Sequence, residues 1–155
     1  MNRVLGQKFF NRPALVVAQA LLGKYLVRRL RKRELTQNVA VMITEVEAYD
    51  GPHDKASHAH RGRTARNSPM FEEGGRWYVY FTYGMHWMLN IVTGPKNYPA
   101  AVLIRAGIRN HESKVISQQL INGPARLTKH LKIDKRLNGK SAIRRSGLWI
   151  EDRGT

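Results

Sequence analysis

Two apolar, aromatic-rich runs, Trp77 to Tyr83 and Trp87 to Thr93, flank Gly84-Met85-His86, and this pair constrains the fold more than any other feature. Aromatic and β-branched side chains favour a pleated backbone, and a glycine between two such runs serves a hairpin turn. Period-two alternation puts Trp77, Val79, Phe81 and Tyr83 on one face and Tyr78, Tyr80 and Thr82 on the other. Most of these rings belong in a β core. Tyr83 differs, because at the tip beside Gly84 its ring is hard to bury.

The remaining elements follow from shorter patterns. Tyr25–Arg29 and Val39–Tyr49 read as a strand pair joined by RKRELTQN, and Ala101–Ala106 as a further strand. FNRPALVVAQALLGK predicts a helix with Asn11 as cap and Pro13 in the first turn. Its apolar stripe is Leu15, Ala18, Leu21 and Leu22, and Gly23 ends it. A weak helical pattern lies near Glu112–Leu120, and a clearer helix runs from Gly123-Pro124 to about Leu131. With 155 residues, no internal repeat and no linker, one domain spanning 1–155 is expected. Strands followed by helices indicate α+β rather than alternating α/β, with a mainly antiparallel sheet flanked by helices.

The charge is unbalanced: 27 Lys and Arg stand against 11 acidic residues, a formal net charge of +16. Such a surface attracts a polyanion such as nucleic acid, and also an anionic membrane. The basic run RRLRKR (Arg28 to Arg33) reads equally as a solvated hairpin end or a DNA contact. There is no cysteine, hence no disulfide and no thiolate zinc site. No apolar run is long enough to span a bilayer, and the N-terminal segment has no signal-peptide core. A soluble, intracellular protein is expected.

Against this background ITEVEAY (Ile43 to Tyr49) places two of the few acids in a strand. Regular alternation would point Glu45, Glu47 and Tyr49 to one side together with Ile43, and Thr44, Val46 and Ala48 to the other. Two carboxylates and a phenol in one cleft would suit general-base work on water. On an outer sheet face the same acids would pair with neighbouring Arg or Lys. The long polar stretch Asp50–Gly75 carries His53, Asp54, His58 and His60, whose spacing matches no common zinc signature. Connections of this length in a small domain are often functional. Asn90, alone among apolar neighbours, is either a structural tie or a reader of a ligand edge. Two other functions fit parts of this pattern: a non-catalytic nucleic-acid-binding protein, and a metal-dependent nuclease using Glu45, Glu47, Asp54 and His58.

The motifs EAY-x-GP, H-x(4)-R, RN, MF, YVY, YGM and Asn90, in this order, are followed by VLIRAG, INGPARL and GLWIED. This succession resembles the alkyladenine (3-methyladenine) DNA glycosylase family over nearly the whole chain. The resemblance implies a protruding DNA-inserting hairpin and excision of alkylated or deaminated purines from double-stranded DNA. It implies Glu47 as the base that activates water, with Arg105 holding that water or a neighbouring phosphate. Tyr49 would stack on one face of the extruded base and His58 and Tyr80 on the other, the His58 backbone N–H donating to the purine's six-position. Asn90 would crowd the two-amino group of guanine, and Tyr83 would fill the gap left in the duplex. The implied enzyme is monofunctional and monomeric, needs no cofactor or metal, and does not use a lysine Schiff base. Relatives usually continue with a basic segment past a GLWIED-like strand, so either a C-terminally shortened version or a fragment is expected here. His86 stands where relatives commonly carry an aromatic residue.

Overall fold

The computed structural model describes residues 2–82, 84–111 and 117–154. Along the chain lie β1 (Arg3–Val4), α1 (Gln7–Phe10), α2 (Ala14–Leu21), β2 (Tyr25–Lys32), β3 (Leu35–Asp50), β4 (Trp77–Thr82), β5 (His86–Val92), β6 (Ala100–His111), β7 (Ser117–Asn122), α3 (Pro124–His130) and β8 (Leu148–Asp152). The described strands form one sheet in the order β1-β8-β2-β3-β6-β5-β4, with β7 also paired to β6. Every pairing is antiparallel. The class is the expected α+β.

Register explains how one sheet serves two purposes. Residues opposite each other in antiparallel strands share a face. Trp77, Ile91, Val102 and Ala48 form one such row across β4, β5, β6 and β3, and it faces the main core. The adjacent row, Tyr78, Asn90, Leu103 and Glu47, therefore faces the other way. The core face is covered by α2 and α3, with Val17, Leu21 and Leu127 fully buried. Each such side chain contributes about 1.5–3 kcal/mol on burial. At the sheet edge, Val79 N–H donates to Asn138 Oδ1 at 2.9 Å, and Trp77 exchanges backbone bonds with Gly139 and Lys140 at 2.8 Å. A strand edge that would otherwise invite pairing with another chain is thus covered.

Several expectations are corrected. The first helix is two helices, α1 and α2, and Pro13 rather than Asn11 occupies the cap of α2, without a side-chain cap bond. The helix phase turns Ala14, Val17, Ala18 and Leu21 inward, leaving Leu15 and Leu22 exposed. Both strands of the first hairpin extend to a turn at Arg33-Glu34, so the basic run lies along β2 rather than only at its end. Arg28 donates to the carbonyls of Leu131 at 3.0 Å and Gly147 at 3.2 Å. Arg29 donates to Arg144 O at 3.0 Å, while Arg31, Lys32 and Arg33 remain exposed. Ser117–Leu120 belongs to strand β7 rather than a helix; Glu112 to Val115 and Ile116 lie outside the described residues. The helix after Gly123 is present as α3.

The most consequential correction is at ITEVEAY. Ile43 faces Gly107, Glu45 faces Ala106, and Val46 faces Ile104. Thr44 is therefore an extra residue on β3 and Arg105 an extra residue on β6. These paired bulges reverse the alternation: Ile43 joins the core with Val46 and Ala48, and does not share the face of Glu45 and Glu47. Bulges commonly re-aim a side chain, and here Arg105 is the one re-aimed.

Candidate active site

The row Glu47–Leu103–Asn90–Tyr78 forms the floor of the site, and its cover is the 51–75 connection. Gly51 starts that connection at φ 85. A side chain there would collide with Tyr98, whose hydroxyl donates to Asp50 Oδ1 at 3.4 Å. Farther on, the Asp54 carboxylate accepts from the backbone N–H groups of Asp50 and Ala56, both at 3.0 Å. Asn67, only 2% exposed, donates to the carbonyls of His58 at 3.1 Å and Gly62 at 3.0 Å. Its own side-chain oxygen accepts from Thr64 N–H at 2.7 Å. The loop is thus a built structure, held by hydrogen bonds between its own side chains and backbone.

This cover lowers His58 onto the aromatic face of β4. His58 Nδ1 is 3.2 Å from the Tyr78 hydroxyl, and its ring centroid is 4.3 Å from that of Tyr80 at 64°. Arg66 holds its guanidinium 5.5 Å from the Tyr80 ring centre and donates to Phe81 O at 2.8 Å. Tyr49, His58, Tyr80 and Asn90 line one slot with Tyr78 and Met70. Its enclosed volume is small, about 10 Å³, so a planar base seats there only as the rings part. Burial, and secondarily Arg66, hold the His58 imidazole below its ordinary pKa, which favours the neutral ring. Burial pushes the Tyr78 phenol up to about 12. Asn90 is buried and donates to Tyr78 O at 3.2 Å, so it is a structural tie that also borders the slot.

Next to the slot stands Glu47. Its Oε1 accepts from the Tyr49 hydroxyl at 2.6 Å, and its Oε2 accepts from Arg105 Nη1 at 3.0 Å. Arg105 Nε donates to Glu45 Oε1 at 3.2 Å. The carboxylate is in an ion pair, yet its side chain is 44% exposed, so water still reaches it. Burial and the hydrogen bond to Glu47 raise the Tyr49 pKa well above the ordinary phenol range, keeping that hydroxyl a donor at neutral pH. The arrangement offers an oriented carboxylate, a fixed cation and an aromatic slot within one face.

Tyr83 lies outside the described residues; beside it, Gly84 takes φ 63 and Met85 is 71% exposed at the hairpin tip. His53 and His60 do not line the slot. Among the described residues no three His, Cys, Asp or Glu side chains are placed to hold a metal ion, and no helix is long and apolar enough to cross a membrane. Three contributors escape a reading by strand periodicity. Asn67 is legible only as part of RN, Tyr78 reads as core although it meets His58, and nothing local marks Tyr98 as the brace of Gly51.

Comparison with known proteins gives a consistent result. A family model described as methylpurine-DNA glycosylase (MPG) matches residues 8–155. A protein of Psychrobacter cryohalolentis is 43% identical over 99% of this chain and 80% of its own length. One from Streptomyces avermitilis is 46% identical over 92% of this chain and 70% of its own. One from Methanocella arvoryzae is 43% identical over 96% and 77%, respectively. Each of the three is named as a 3-methyladenine DNA glycosylase.

Proposed function

The chain belongs to the methylpurine-DNA glycosylase family and is a DNA repair glycosylase, and on that premise we propose that it removes alkylated or deaminated purines with a water activated by Glu47. A base inside a duplex is inaccessible, so the damaged nucleotide is first rotated out, at a cost of a few kcal/mol that is least for poorly paired bases. Tyr49 on one side and His58 and Tyr80 on the other receive it. Stacking of about 1–3 kcal/mol per base offsets part of the cost of extrusion. The His58 backbone N–H donates to the purine's six-position, and Asn90 crowds a two-amino group, which disfavours guanine. Tyr83 enters the gap left in the duplex.

Cleavage of the C1′–N bond leaves oxocarbenium character on the sugar, with the electron pair departing on the purine. Glu47 stabilises that charge and takes a proton from water as the water oxygen bonds to C1′. Arg105 holds the carboxylate in place. A purine that departs as an anion takes a proton from solvent, a ring-alkylated cationic one departs neutral, and the products are a free base and an abasic site, with no strand break. The cationic surface binds the phosphates without reading sequence. In this reading the chain is one glycosylase domain acting as a monomer on intracellular DNA.

The observation that carries the proposal is the contact between Glu47 and Tyr49, because Tyr49 also lines the slot. The test is a duplex bearing one hypoxanthine or ethenoadenine, incubated with a chelator present. Released base and an alkali-sensitive site, lost in Glu47→Gln with duplex binding kept, are expected. Base release undiminished in that variant would refute the assignment.

A further inference from the structure

We infer that Tyr49, beyond stacking on the base, is a positioning residue whose hydroxyl orients the Glu47 carboxylate; this rests on Glu47 being the base. Residues two apart on a strand project to the same side, so the phenol of Tyr49 reaches back to Glu47 from its own strand. Its O–H donates to Oε1 at 2.6 Å, within the short range of bonds to an ionised acceptor. Arg105 donates only to Oε2, at 3.0 Å. Glu47 is 44% exposed and lies outside the buried core, so packing does not fix its rotamer. With Arg105 alone the carboxylate could pivot about that single contact. The two donors together fix the carboxylate plane and leave the remaining lone pairs to direct a water.

The same ring borders the slot. A base stacked on Tyr49 would restrict the ring, and with it the hydroxyl on Oε1. Occupancy of the slot and orientation of the general base are therefore coupled through one side chain. The charged and titratable groups facing the pair are Arg105 from β6, Tyr80 from β4, and Glu45 through Arg105. His58 and Arg66 lie on the covering loop, on the far side of the slot.

Tyr49→Phe separates the two roles, because it keeps the ring and removes the hydroxyl. The expected result in single-turnover base release is a loss of about tenfold or more, set beside the 10²–10⁴-fold supplied by a positioned base. Duplex affinity should be unchanged. Tyr49→Leu, lacking ring and hydroxyl, should lose affinity for the damaged duplex as well. A Tyr49→Phe protein that matches the parent in rate, or loses rate only in proportion to affinity, overturns the inference while leaving Glu47 as base. Activity retained in Glu47→Gln would instead overturn both assignments.

Discussion

Arg105 reaches Glu47 from a bulge: it is the unpaired residue of β6, and its Nη1 lies 3.0 Å from Glu47 Oε2. A regular ladder would not leave an unpaired residue at this point of the sheet. The guanidinium is shared with Glu45 through Nε, so two acids of a strongly basic chain are explained by one cation.

Arg105→Ala removes a positive charge beside the carboxylate. Without it Glu47 Oε2 loses its donor, and the Tyr49 hydroxyl on Oε1 is left to hold the carboxylate. The single-turnover rate at neutral pH should drop about 10- to 100-fold. Single-turnover base release by the parent and the variant checks this. Arg105→Lys should restore part of the rate, since a point charge replaces a fork.

Asn67→Ala should loosen the covering loop. Two carbonyls, those of His58 and Gly62, lose their donor, and each lost bond costs about 0.5–1.5 kcal/mol. Melting temperature should fall, protease cleavage between residues 51 and 75 should accelerate, and the base-release rate at low enzyme concentration should decline more than the saturated rate. Circular dichroism melts, timed proteolysis and enzyme-concentration series measure these effects.

Trp77 and Tyr80 lie on opposite faces of one strand, and their substitutions should separate stability from function. Trp77 is fully buried and donates to Leu148 O at 3.0 Å, so Trp77→Ala should cost about 3–5 kcal/mol of stability. Tyr80 is partly exposed at the slot, so Tyr80→Leu should shift stability by about 1 kcal/mol while lowering affinity for a damaged duplex. Denaturant melts and duplex titrations distinguish the two patterns.

The grouping into two faces was legible in the chain because a two-residue period fixes it, Trp77 with Val79 and Tyr78 with Tyr80; which face meets the main core was not. Glu47, Tyr49, His58, Tyr80 and Asn90 could be named from motif order, and the sheet and its loop bring them together. The bulges at Thr44 and Arg105 were not legible, because they arise from a mismatch between two strands about sixty residues apart, and each strand alone looks regular. The wrong stripe in ALVVAQAL has a related cause. Nearly every position in that helix is apolar, so hydrophobicity alone does not set the phase, and packing selects Ala14, Val17, Ala18 and Leu21. SQQLIN carries almost no strand pattern; it is extended because β6 offers it a backbone edge.

The most direct measurement is the single-turnover release of hypoxanthine from a duplex by the parent protein and by Glu47→Gln, alongside binding of both to the same duplex. The account predicts base release that falls by about 10²–10⁴-fold in the variant, with affinity preserved. Equal release by both proteins would contradict it.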